Sequence, residues 1–156
     1  MDAFATKVAE IDARAAHDLA RRRLWLSHHW PEHWERCVAI RGRHVCRRCL
    51  VLYPLTFVIA IAALADVLLW PRRFDPLLIW LCSVPGTIEY GAEQLGFIRY
   101  GARRQALATA LVAVALGRGL SYELDQRWSW YFWGPLIAFG TVWFSSTVLG
   151  RHRASL

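Results

Sequence analysis

Apolar positions along the chain fall into one short periodic stretch and four long runs. Residues 1–24 place Phe4, Val8, Ile11, Ala15 and Leu19 at three- and four-residue intervals with charges between them, which predicts an amphipathic helix ending at Arg21-Arg22-Arg23. Such a helix suits a membrane surface, and equally a partner or the rest of this chain. The first long apolar run, 50–70, goes from Leu50 to Trp70. At 1.5 Å rise per residue, a helix of that length matches a hydrocarbon core roughly 30 Å thick.

Three further runs follow. The second, 77–95, comes after the turn Pro71-Arg72-Arg73-Phe74-Asp75-Pro76 and contains Pro85-Gly86, a dipeptide that predicts a kink. The third, 104–122, is rich in Ala and Gly, residues that let membrane helices approach closely. The fourth, 128–149, opens with Trp128, Trp130, Tyr131 and Trp133, as a span does where aromatic rings sit at the headgroups, and closes on Arg151-His152-Arg153. The expected fold is an all-α membrane protein: an N-terminal amphipathic helix, a Cys/His segment over 25–49, and a four-helix transmembrane bundle over 50–156.

Composition strengthens this reading. Of 156 residues, 56% are hydrophobic and nine are Trp, and the mean hydropathy of +0.24 exceeds what a soluble domain of this size shows. The formal charge of +7 would fit nucleic acid if it formed one basic face, but the arginines mostly flank apolar runs, so the expected partner is the lipid bilayer and no nucleic acid is expected. The first 23 residues hold no apolar signal core, which predicts a mature N-terminus. With four spans, fifteen Lys and Arg lie on the side of both termini against Arg72, Arg73 and Arg127 opposite, which places both termini in the cytosol.

The Cys/His segment is the first candidate for chemistry. Cys37, Cys46 and Cys49 lie within a short stretch that also holds His28, His29, His33 and His44, immediately before the first span. Cys46-x-x-Cys49 has the spacing with which two thiolates converge on one tetrahedral ion, and Cys37 with a histidine, His28 or His29 foremost, would complete the set. A cytosolic location keeps thiols reduced, favouring zinc, or iron as the alternative, over a disulfide. A redox dithiol is the rival, with Arg47 and Arg48 favouring thiolate. Cys82, inside the second run, reads as a small buried hydrophobe.

These residues also resemble a family of small bacterial integral membrane proteins known as domain of unknown function 2085. The likeness rests on His28-His29-x-Pro31, Arg36, Gly42, and Cys46-x-x-Cys49 followed by Tyr53, together with Pro85, Glu89 and Gly96, and covers roughly residues 26–120. Where the family commonly carries Cys-His-Gln, this chain has Ser27-His28-His29. The resemblance implies a multi-pass protein of the bacterial inner membrane and no particular activity.

Ionisable residues inside spans cost a few kcal/mol unless paired or hydrated. Asp66 and Arg118 fall at similar depth, roughly 21–24 Å from the cytosolic ends of their helices, and are expected to pair. Glu89 and Glu93, four apart on one helix face, lie in the cytosolic third of the second span, where two desolvated carboxylates suit proton exchange, a hard cation or a general base. Arg99, Arg103 and Arg104 stand nearby and suit an anionic ligand, although the positive-inside rule accounts for them without one.

Three functions fit. The first is a binding or scaffold protein stapled by a structural metal. The second is a membrane-embedded metalloenzyme acting on an anionic or lipid-linked substrate with Glu89 or Glu93 as base. The third is a proton-coupled transporter subunit, which would require a homo-oligomer or another membrane protein to enclose a path. No nucleophile elbow, phosphate-binding loop or dinucleotide fingerprint is present.

Overall fold

The computed structural model describes residues 2–23, 35–41, 43–67 and 70–154. Within them the chain forms helix α1 (Asp2–Arg23), strands β1 (Cys37–Ile40) and β2 (Arg43–Cys46), and helices α2 (Arg47–Leu64), α3 (Asp75–Gln94), α4 (Ala102–Asp125) and α5 (Trp130–Ala154). It divides into two compact units, Met1–Arg47 and Arg48–Leu156.

The first unit holds α1, whose Val8 and Ile11 are exposed, and a β-hairpin that hydropathy gives no sign of. Strands of four residues are too short for an alternating pattern to stand out, and these are masked by Arg, His and Cys. The antiparallel register is Cys37↔Cys46, Val38↔Val45, Ala39↔His44 and Ile40↔Arg43. That pairing leaves a two-residue connection, 41–42, with Arg41 left-handed at φ 49°, as a tight hairpin turn of the primed type demands at its first central position.

The second unit is the helical bundle. Helices α2, α4 and α5 are long and apolar enough to cross a membrane. Helix α3, at 20 residues about 30 Å long, is more polar because it buries Asp75, Ser83, Thr87, Glu89 and Glu93; it packs most extensively on α4 and α5. Pro85-Gly86 does not interrupt α3. A Cβ on Gly86 would lie 2.2 Å from Val112 Cγ2 and 3.2 Å from the Ala108 carbonyl oxygen, so the dipeptide marks a close approach to α4. Gly117 of α4 does the same against α2, where a Cβ would meet Ile59 and the Thr56 carbonyl oxygen at 2.7 Å.

Two helices end on matching caps. Helix α3 closes with Gly96 at φ 78°, the Phe97 N–H donating to Ala92 O (2.9 Å) and the Gly96 N–H to Glu93 O (3.1 Å). Helix α2 closes in the same way but earlier than the apolar run predicts, at Leu64 rather than Trp70. There Asp66 takes the left-handed position, φ 57°, with Val67 N–H on Ala62 O (3.0 Å) and Asp66 N–H on Ala63 O (3.3 Å). Aspartate is one of the few residues besides glycine that visits this region readily.

Candidate functional site

This cap overturns the expected Asp66–Arg118 pair. Asp66 is exposed beyond the end of α2, and Arg118 of α4 turns instead to Asp75, the first residue of α3. Arg118 Nε and Nη2 donate to the two oxygens of Asp75 at 2.8 and 2.5 Å. Trp70 Nε1 donates to Oδ1 (2.8 Å) and the Tyr122 hydroxyl to Oδ2 (2.9 Å). Asp75 is 0% and Arg118 3% exposed. Depth along the helices ranks Asp66 and Asp75 alike; the early end of α2 decides between them, and Asp75 gains from lying at the positive start of α3.

At the opposite end of α3 lies the second ionic cluster. Glu89 and Glu93 are buried, at 5% and 8% exposed, and both turn toward Arg48 in the first turn of α2. Arg48 Nη2 donates to Glu89 Oε2 at 2.9 Å and lies 3.6 Å from Glu93 Oε2. The Arg48 guanidinium sits over the Tyr90 ring, 4.9 Å from its centroid, and with its amide oxygen turned toward it, Gln105 accepts from Nε (3.3 Å) and Nη2 (3.2 Å). Arg104 Nε approaches Glu89 Oε1 only to 3.7 Å, and among the described residues that buried oxygen has no hydrogen bond.

Of the three arginines expected at a ligand mouth, the structure therefore brings Arg104 to the carboxylates, while Arg99 and Arg103 are exposed and the Arg99 carbonyl accepts from Arg104 Nη2. Among the described residues, the guanidinium groups of Arg48 and Arg104 thus stand beside these carboxylates. The residue that sequence reasoning missed is Arg48. Its place between two cysteines drew attention to thiolate stabilisation, whereas its guanidinium is held by Glu89, Gln105 and Tyr90.

The same end gathers the other helix termini, since a Cβ on Gly150 of α5 would lie 2.2 Å from the Gln94 carbonyl oxygen. Arg48, Arg99, Arg103, Arg104, Arg151 and Arg153 thus belong to one end of the bundle, and Arg72, Arg73 and Arg127 to the other.

Between the clusters runs a half-enclosed apolar cleft of about 190 Å³ among α3, α4 and α5, with Leu52 of α2 at its edge; Thr87, Val112, Phe139 and Trp143 are among its lining residues. The hydroxyls that α3 brings to it are occupied: Ser83 Oγ donates to Ile79 O (2.7 Å), and Thr87 Oγ1 donates to Ser83 O (2.9 Å) while accepting from Trp143 Nε1 (3.1 Å). Trp143 stacks on Tyr90, 4.9 Å between centroids, and so links the cleft to the ring beneath Arg48.

In the first unit, the hairpin sets Cys37 directly opposite Cys46, and both are buried, at 5% and 1% exposed. Cys49 is half-buried in the first turn of α2, and Cys82 of α3 is also half-buried. His28, His29 and His33 lie outside the described residues. Among the described residues, no three His, Cys, Asp or Glu side chains gather as a metal site. No family model, curated protein or solved structure matches this chain.

Proposed function

We propose that the chain is an integral membrane protein with four spans, α3 being the fourth, and with both termini on the cytosolic side. In this reading it binds a soft metal ion, zinc in preference to iron, through its cysteine hairpin and serves as a binding or scaffold component. Support for the fourth span comes from the length of α3 and from the pairing of its buried charges, which removes most of the cost of carrying them in a bilayer. Support for the orientation comes from the six arginines at the end shared by the start of α2 and the end of α5, against three opposite.

One observation carries the metal reading: the Cys37↔Cys46 register. Directly opposed residues in an antiparallel pair have Cβ atoms roughly 4.5–5.5 Å apart, near enough for both sulfurs to lie about 2.3 Å from one ion. Further donors follow from sequence alone: Cys49 by its spacing, and His28 or His29.

The test is metal analysis of the detergent-purified full chain under reducing conditions. Wild type should carry one zinc per chain, and Cys37→Ser or Cys46→Ser should lose it while the bundle keeps its melting temperature. Metal-free wild type overturns the reading.

A further inference from the structure

We propose that the cleft between α3, α4 and α5 takes one acyl chain of an anionic phospholipid, whose phosphate is held by the arginines at the start of α4. The two hydroxyls on the α3 wall of the cleft, Ser83 and Thr87, are already bonded within the bundle, and the rest of the lining is apolar apart from Trp143, bonded to Thr87, and the exposed Tyr131. Its volume, about 190 Å³, exceeds the ~150 Å³ of an apolar protein cavity that stays dry and holds a benzene ring. Water is therefore a poor occupant and hydrocarbon a good one.

Access and charge select which hydrocarbon. Tyr131, Leu136 and Gly140, all cleft residues, are exposed on the flank of α5. On a helix long and apolar enough to cross a membrane, that flank meets lipid chains. The cleft's inner end lies close to the arginine end: Val112 is eight residues along α4 from Arg104, about 12 Å, and Leu52 is four residues along α2 from Arg48, about 6 Å. The first turn of α4 has no acidic residue, and Arg99 and Arg103 are exposed beside Arg104. A phosphodiester fits this charge, and its own chain reaches the cleft; a zwitterionic lipid gains less from the same arginines.

Trp143 reports on the cleft from within. The full chain is reconstituted in phosphatidylcholine vesicles doped with phosphatidylglycerol brominated on its acyl chains, and the Trp143 signal is isolated as the difference between wild type and Trp143→Phe. Brominated phosphatidylglycerol should quench that signal several-fold more than brominated phosphatidylcholine at equal mole fraction. Gly140→Leu should abolish the excess with the melting temperature unchanged, because a Cβ at Gly140 meets nothing within 4 Å and the longer side chain enters open space. Arg99→Gln with Arg103→Gln should reduce phosphatidylglycerol to the phosphatidylcholine level.

Equal quenching by the two lipids in wild type overturns the anionic assignment. Quenching of Trp143 no stronger than that of Trp80, partly exposed on the bundle surface, overturns the cleft as a lipid site, as does cross-linking of a second copy at Gly140→Cys. Competition by inorganic phosphate reassigns the arginines to a free anion and overturns the lipid assignment.

Discussion

The two ionic clusters at either end of α3 are built from the same ingredients and satisfied to different degrees. At Asp75 one carboxylate faces four donors: two from Arg118, one from Trp70 and one from Tyr122. At Glu89 and Glu93 two carboxylates share Arg48, Arg104 stands off at 3.7 Å, and Glu89 Oε1 makes no hydrogen bond among the described residues. Buried charge is tolerated only when its partners replace water. The first cluster is therefore closed and fixes the geometry of α3 on α4, whereas in the second Glu89 keeps acceptor capacity unspent among the described residues, beside the exposed Arg104. Burial alone does not separate them, since both sets of carboxylates are almost fully inaccessible; the donors on Asp75 against those on Glu89 among the described residues do.

The largest effect follows from opening the closed cluster. Asp75→Asn leaves Arg118 buried opposite a neutral amide whose N–H₂ points donor to donor, and removal of one partner of a buried pair costs about 3–5 kcal/mol. Thermal unfolding in detergent should show the largest fall in melting temperature of any variant here. The double substitution Asp75→Leu with Arg118→Met should regain most of it, because apolar side chains of similar volume often replace a buried pair without loss. A double variant as unstable as the single one would assign Asp75 more than a structural role.

Next is Arg48→Met, which withdraws the shared donor and leaves Glu89 with Arg104 at 3.7 Å. Loss of a hydrogen bond to a charged group, with a buried carboxylate left behind, costs about 2–3 kcal/mol. Glu89→Gln added to Arg48→Met should relieve part of that cost, a sign of interaction read by a double-mutant cycle. Tyr122→Phe is a smaller change to the closed cluster: Asp75 keeps three of its four donors, and about 1–1.5 kcal/mol is expected for the missing hydroxyl.

How much of this was legible from the sequence depends on what set each feature. The helices of the bundle follow from runs of apolar residues, and their ends shift by a few residues where a cap intervenes. For α2 that cap is Asp66, and its left-handed turn stops the helix inside an apolar run that continues to Trp70. The Asp75–Arg118 pair was hidden because Asp75 sits in a Pro-flanked turn motif, where it reads as loop. Glu89 and Glu93 stood out as charges in an apolar helix. Their principal partner did not, because arginines at a helix start are expected on the cytosolic side for any reason or none. The Cys37–Cys46 register was beyond pattern reading altogether: it depends on a two-residue connection at Arg41, and strands of four residues carry no period to detect.

The smallest expected effect is the one that most sharpens the contrast between the clusters. Glu89→Gln preserves the shape of the side chain and one carbonyl oxygen, which can still accept from Arg48 Nη2 at the position Oε2 holds. The new amide nitrogen takes the place of Oε1, an atom that gives up no hydrogen bond in being replaced. Arg48 keeps Glu93, Gln105 and the Tyr90 ring, so a loss of about 1 kcal/mol or less is expected, a fraction of that for Asp75→Asn although both substitutions neutralise one buried carboxylate. Metal content should be unchanged. A loss as large as that at Asp75 would mean that Glu89 Oε1 is held by contacts as firm as those on Asp75, and the division into a closed and an open cluster would fail.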